Sequence, residues 1–222
     1  MSVADRRLGA GPIMARALGD LFRRPFIVLL LLNLFLSTVT ASLRSDDDVG
    51  LIAWLLLTAV MVYVQISTIL AASDESPDPR GDPWIRAAFK ARCFWRFIAI
   101  EIFIFVVVAL GLFLLVIGGL VAGAYIGLAE QALVIERKGI AQAVVRSYEV
   151  GTRARRTVGV IFGTLVLFPN VALPFAYTLG ADESTLARLV VSAIAALLTM
   201  AGTIALTHAF LILAETNQTV PR

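Results

Sequence analysis

Three ionisable side chains stand inside otherwise apolar runs of this chain: Glu101, Glu130 and His208. On insertion scales, a charged group at the centre of a bilayer costs about 2.5–3.5 kcal/mol, so each of these residues is a candidate for chemistry. Glu101 lies about one turn into its run. Glu130 lies about six residues before a basic loop, and His208 about six residues before the end of the last run. At 1.5 Å per residue these are depths of roughly 6–9 Å. Two carboxyls and an imidazole at one depth can relay protons or hold a cation in a cavity open to one face. The competing reading is structural: Glu101 and Glu130 reach back to pair with Arg92, Arg96 or Arg137, and His208 hydrogen-bonds a neighbouring helix. A divalent metal is disfavoured, because the chain has one histidine and no His-Glu-x-x-His or Glu-x-x-His spacing. No metal or cofactor is expected.

Other polar residues in the apolar runs have simpler uses. Asn33 and Gln65 are suited to hydrogen bonds between helices. Pro169-Asn170 and Pro174 either kink a helix or break it to expose carbonyls, as transporters do at substrate sites. Asp46-Asp47-Asp48 lacks the glycine-containing loop of a calcium site and reads as a solvated turn. No glycine-rich phosphate loop, nucleophile elbow or dinucleotide fingerprint is present. Cys93 is the only cysteine, so no intrachain disulfide or paired-thiol redox motif can form.

The elements that carry these residues follow from composition. Of 222 residues, 59% are hydrophobic, above the roughly 45–50% usual in soluble domains. The mean hydropathy is +0.87. A crossing helix needs about 20 mainly apolar residues to cover roughly 30 Å of hydrocarbon. The runs predict an all-α polytopic membrane protein with about six transmembrane helices, at 26–43, 50–72, 97–117, 119–135, 157–179 and 186–214. Residues 97–135 are too long for one crossing, and Gly118-Gly119 is the expected break of a tight hairpin. Segment 1–25 is a basic N-terminal stretch, 26–214 a single membrane domain, and 215–222 a tail. The first apolar run follows a long basic leader and reads as an uncleaved start-transfer helix.

Charge then orients the spans. Seventeen of the nineteen Lys and Arg residues fall in segments 1–25, 73–96, 136–156 and the C-terminal tail, which share one side if there are six crossings. The positive-inside rule places those segments and both termini in the cytoplasm, and the chain in a cell (inner or plasma) membrane. Three times, at Met14–Phe26, Trp84–Phe97 and Ile140–Val158, an arginine-bearing amphipathic stretch leads into an odd-numbered span. Each suits a helix lying in the headgroup plane on the cytoplasmic face. Arg86, Lys90, Arg92, Arg96, Arg146, Arg153, Arg155 and Arg156 are the candidate contacts to anionic headgroups or a partner protein, each worth about 1 kcal/mol near such a surface. Because the cations adjoin apolar runs rather than a polar surface, nucleic acid is not the expected partner.

Within the third basic segment, Glu136, Gly139, Ala143, Arg146, Ser147 and Tyr148 form an ordered motif: a span ending in Glu, then Gly, then Ala-x-x-Arg-Ser-aromatic. It resembles the motif of the membrane domain fused, in some bacteria, to glycerophosphodiester phosphodiesterases, and of related stand-alone six-span proteins. The likeness covers about 20 residues, or roughly 40 with the next span, and Tyr148 stands where that family often has Trp. The catalysis of the fused relatives belongs to a separate soluble barrel that this chain lacks, so the resemblance implies a membrane domain and not an enzyme. By its residue types alone, Glu136 ends a span and Gly139 allows the turn. Arg146 pairs with Glu136 or Glu149 or reaches a lipid phosphate, and small Ala143 and Ser147 permit close packing.

The expected function is therefore non-enzymatic: an accessory or scaffold subunit binding anionic lipid or a partner protein through its basic cytoplasmic face. The alternative is a small transporter or channel using Glu101, Glu130 and His208 near the cytoplasmic side.

Overall fold

A computed structural model describes residues 9–42, 48–73, 88, 93–114, 116–172 and 185–218, and these form helices without a strand. In chain order they are α1 (Ala10–Asp20), α2 (Arg24–Ser42), α3 (Asp48–Ser73), α4 (Phe94–Leu114), α5 (Val116–Ile126), α6 (Ala129–Ile135), α7 (Ile140–Gly151) and α8 (Arg155–Ile161). α8 runs into a π-helical stretch, Phe162–Ala172, and α9 (Thr185–Gln218) follows. The helical stretches Leu55–Ser73, Phe94–Gly111, Gly118–Ile135 and Val190–Glu215 are long and apolar enough to cross a membrane, and Arg24–Ser37 is a shorter apolar helix.

α9 is the mast of the molecule. It packs against α1, α2, α3, α6, α7, α8 and the π-helical stretch. Its buried side, from Met200 to Leu213, carries Ala201, Ala205 and Ala209 between Ile204, Phe210 and Leu213. Small residues alternating with large ones let neighbouring backbones come close, which drives helix association where lipid removes the hydrophobic contrast. Around the mast the outward surface is apolar. Phe35, Leu56, Phe105 and Phe113 are all exposed, as suits a surface bathed in hydrocarbon rather than water.

The long run 97–135 folds back on itself as expected, but its glycines do a different job. Gly118 and Gly119 lie inside α5 and do not break the chain. They meet α4 at Gly111, where a Cβ would sit 2.7 Å from the Gly119 nitrogen and 2.8 Å from the Gly118 carbonyl carbon. The pair is therefore a backbone-to-backbone contact closing the hairpin. The chain passes from α4 to α5 a few residues earlier, α4 ending at Leu114 and α5 beginning at Val116, and a second interruption at Gly127-Leu128 splits the expected fourth span into α5 and α6. Two Gly-x-x-x-Gly pairs, Gly119 with Gly123 and Gly159 with Gly163, also find partners. Gly123 accepts the Phe162 ring, Gly159 faces the Ala124 methyl, and Gly163 faces Leu120. Together they seat α8 and the start of the π-helical stretch tightly on α5.

Pro169 explains the π-helical stretch. It lacks an amide donor and its ring crowds the carbonyl one turn earlier, so an α-helical turn cannot close there. The wider winding absorbs the misfit, and Asn170 Nδ2 donates to the Val166 carbonyl at 2.7 Å. The described part of the fifth run ends at Ala172; 173–179 and Pro174 lie outside the described residues. So do Asp46, Asp47 and the segment 74–87.

Replacing Gly111 by Ala drives a methyl into the α5 backbone and is expected to lower stability by about 1–3 kcal/mol, the usual cost of overpacking. Gly139→Ala, whose nearest neighbour would be 4.0 Å away, is expected to change it by less than about 0.5 kcal/mol. Thermal unfolding in detergent of the two variants beside the parent chain measures the contrast.

Candidate functional site

Two of the three intramembrane ionisable residues converge. Gln65, on α3, donates from Nε2 to Glu130 Oε2 at 3.3 Å. Glu101, on α4, faces the same amide and lies within Coulombic reach of Glu130. Three helices thus bring two carboxyls and one carboxamide to one point. The expected alternative, pairing of these acids with Arg96 or Arg137, is not what forms, since neither arginine makes an ion pair among the described residues. Arg92 lies outside the described residues. Geometry explains the difference. Arg96 is exposed, five residues before Glu101 on the same helix and so on another of its faces. Arg137 is exposed and sits in a left-handed backbone turn, φ 53°, that carries it away from α6.

Gln65 also lines a cavity of about 420 Å³ between α2, α3, the π-helical stretch and α9. Its polar wall is made by Asn33, Ser37, Gln65, Asn170, Thr199 and Thr203. Asn170 is held toward it by two bonds, to the Val166 carbonyl and to Thr199 Oγ1 at 2.9 Å. Asn33 Nδ2 donates across to the Ala196 carbonyl of α9 at 3.4 Å. Asn33 and Gln65 are thus the interhelical donors their positions suggested. Gln65 is the hinge of the arrangement, because one side chain faces both the cavity and the carboxyl pair.

His208 goes elsewhere. Its Nε2 lies 2.8 Å from Asp20 Oδ2, and Asp20 Oδ1 accepts from Arg23 Nε at 2.9 Å. Its remaining electrostatic neighbours are Arg16 and Arg23. The imidazole hydrogen-bonds a neighbouring helix, α1, and does not join Glu101 and Glu130 in a three-residue centre. Asp20, buried at 3% exposure, lies outside the apolar runs that mark the other candidates. Its signal was there, as the one acid between Arg16 and Arg23.

The motif at 136–148 builds an elbow. Arg146 Nε donates to Glu136 Oε1 at 3.0 Å, and its Nη1 lies 3.6 Å from Glu149 Oε2, so Arg146 serves both acids. Lys138 Nζ adds a second cation to Glu136 at 2.8 Å. Gly139 is not the residue that makes the turn. It is extended, φ −71°, and its N–H is accepted by Gln142 Oε1; the left-handed position just past α6 is Arg137. Ala143 and Ser147 are fully buried. The Ser147 hydroxyl accepts from the Leu128 N–H at 3.1 Å and donates to the Tyr125 carbonyl at 2.9 Å. These are backbone groups left open where α5 ends and α6 begins. Tyr148 stacks on Tyr125, ring centroids 5.2 Å apart, and Tyr125 accepts from Arg155 Nη1 at 3.3 Å.

Of the eight basic residues expected at one face, Arg86, Lys90 and Arg92 lie outside the described residues. Arg96, Arg153, Arg155 and Arg156 are exposed, whereas Arg146 is engaged by its acids. Comparison with protein-family models, with curated proteins and with solved structures returns no match to the chain.

Removing the Ser147 hydroxyl leaves a buried donor and acceptor unpaired at once. Ser147→Ala is expected to cost about 1–3 kcal/mol, whereas Thr152→Ala, whose hydroxyl bond is exposed, is expected to cost less than about 1 kcal/mol. Chemical or thermal unfolding of both variants tests the assignment.

Proposed function

We propose that the chain is a non-enzymatic, multi-pass membrane protein acting as a small transporter or channel, with the Glu101–Gln65–Glu130 cluster as its cation site. The observation that carries this reading is the position of Gln65, which lines a polar cavity and donates to one of two neighbouring carboxyls. Two like charges repel by about 4 kcal/mol at 4 Å under an effective dielectric of 20. A proton or small cation taken between them relieves that repulsion, and the amide can turn to follow it. The cavity supplies an approach through hydroxyls and amides. The π-helical stretch beside it supports the reading too, since such winding is frequent at functional sites.

In this proposal the crossings are α2, α3, α4, the α5–α6 pair, α8 with the π-helical stretch, and α9. Both termini face the cytoplasm of a cell whose inner membrane holds the chain, as the clustering of cations favours. α1 and α7 lie as amphipathic helices in the headgroup plane. α1 buries Ile13 and Ala17 and exposes Arg16, while α7 buries Ala143 and Val150 and leaves Ile140, Val145 and Tyr148 uncovered for lipid. Kinship to the membrane domain of the glycerophosphodiester phosphodiesterases stays part of the proposal. It is supported by the motif residues working as one unit, Arg146 on Glu136 and Ser147 in the helix break.

A second reading, an accessory or scaffold subunit holding anionic lipid or a partner protein, is favoured by one observation. Arg153, Arg155 and Arg156 are exposed together beside the uncovered apolar residues of α7.

The transport reading is tested by reconstituting the chain in vesicles and following proton and monovalent-cation flux with entrapped dyes. Flux is expected, falling at least tenfold in Glu101→Gln and in Glu130→Gln while His208→Gln retains it. Flux equal to empty vesicles, or unaltered by both carboxyl variants, rejects a cation site there. For the second reading, replacing Arg153, Arg155 and Arg156 by Ser removes about 3 kcal/mol of headgroup attraction. Retention of anionic lipid through purification is then expected to fall by about two orders of magnitude, read by mass spectrometry of the extracted lipid.

A further inference from the structure

A second cavity, of about 820 Å³, opens between α1, the first turn of α2, the end of α3 and the last turns of α9. Its charged lining is unlike that of the first: Arg16, Asp20 and Arg23 from the α1 side, His208 and Glu215 from α9. Within this group Asp20 is already satisfied, with Arg23 Nε on one oxygen and His208 on the other. That pairing is structural. It joins the N-terminal helix to the mast, and through Nε it holds Arg23 in place while leaving the terminal nitrogens of the guanidinium unassigned. The Arg23 side chain is 69% exposed despite this anchor. Arg16 and Glu215 line the same cavity, and neither forms an ion pair with another described residue.

The cavity therefore presents two guanidinium groups for an anion and, separately, one carboxylate for a cation. Guanidinium forks match the paired oxygens of a phosphate, and a carboxylate matches an ammonium. Glu215 lies seven residues beyond His208 on α9, about 10 Å along the axis from the Asp20–His208 contact, and it forms no ion pair with either guanidinium. The position is also informative. Glu215 closes the apolar stretch of α9, and Arg23 precedes the apolar helix α2, so the cavity lies where hydrocarbon gives way to headgroups. Beside it α1 and its end expose Leu18 and Phe22, the latter at 74%, as apolar surface for acyl chains.

We propose that this cavity binds the headgroup of a zwitterionic aminophospholipid, with its phosphodiester on Arg16 and Arg23 and its primary ammonium on Glu215. The proposal is independent of the cation site and of the exposed arginines at 153–156. It differs from simple attraction to anionic lipid, because Glu215 selects for the amine. A tail-free phosphoethanolamine shares the headgroup chemistry but not the apolar contacts, which separates a lipid ligand from a soluble one.

The test uses the full chain purified in mild detergent and exposed to equal mole fractions of phosphatidylethanolamine, phosphatidylglycerol and phosphatidylcholine, with bound lipid counted by native mass spectrometry. Phosphatidylethanolamine adducts are expected to exceed each of the other two at least fivefold. Arg16→Gln is expected to reduce retention of phosphatidylethanolamine and phosphatidylglycerol alike, tenfold or more. Glu215→Gln is expected to abolish the preference without lowering phosphatidylglycerol retention, since it removes a negative charge beside the phosphate site, a pattern that general loss of structure does not produce. Equal retention of the three lipids, a preference for phosphatidylglycerol, or a preference indifferent to Glu215→Gln overturns the proposal. Displacement of the lipid by millimolar O-phosphoethanolamine as effective as by phosphatidylethanolamine itself overturns the lipid as ligand.

Discussion

The hydroxyl of Ser147 holds the interruption on which much of the molecule turns. A helix broken at membrane depth exposes backbone groups that nothing in hydrocarbon can satisfy, and such a break survives only where protein supplies the partners. At Gly127-Leu128 the partner is one buried side chain, which accepts the Leu128 N–H and donates to the Tyr125 carbonyl. With those groups satisfied, α6 can start on a new axis, and Glu130 lies in its first turn, within reach of Gln65. The residue that stabilises the break sits on α7, in the elbow outside the apolar runs. The elbow and the intramembrane cluster are thus joined through Ser147 and the helix break it caps.

Around that break the structure relies on close approach. Lipid tails are as apolar as leucine, so helices in a membrane gain little by burying one another's hydrophobic faces. They gain by packing atoms densely and by hydrogen bonds. Gly111 against Gly118 and Gly119, Phe162 in the hollow at Gly123, and Gly202 against Leu165 and Val166 all serve the first purpose. Asn33, Gln65 and Asn170 serve the second. The π-helical stretch meets α9 at Gly202, where the lack of a side chain leaves room for the Leu165 carbonyl. Proline, the widened winding and the facing glycine form one local solution to a missing amide.

The polar residues separate into two centres of different character. The Glu101–Gln65–Glu130 cluster sets two carboxyls about one neutral amide, with no Lys or Arg paired to either carboxyl among the described residues. The Asp20–His208–Arg23 group holds opposite charges in contact and serves to tie α1 to α9. A buried carboxylate with two partners gives little net stability but fixes one arrangement against others, since leaving either partner out strands a charge. The second centre forms part of the wall of the larger cavity beside Arg16 and Glu215, neither of which makes an ion pair among the described residues.

Much of the architecture was legible in the sequence because it follows from one-dimensional quantities. Apolar run length forecast helices long enough to cross a membrane, and the residue types at 136–148 forecast the Arg146–Glu136 pair and the tight packing of Ala143 and Ser147. Asn33 and Gln65 were legible as interhelical donors because an amide in hydrocarbon has few other uses. What depended on the tertiary structure was which partner each polar group meets. Depth along a helix can be counted from sequence, but rotation about the axis and the neighbour on that face cannot. Counted along its apolar run His208 matches Glu101 and Glu130, yet it faces Asp20. Gly118-Gly119 carries the composition of a break but serves as a contact, and Gly139 the composition of a turn that Arg137 makes instead. The sequence alone determined what lies in the apolar runs. Only the packing of α9 against its neighbours decided which polar side chains share a site, because that is set by helix rotation and by the backbone approach that each small residue permits.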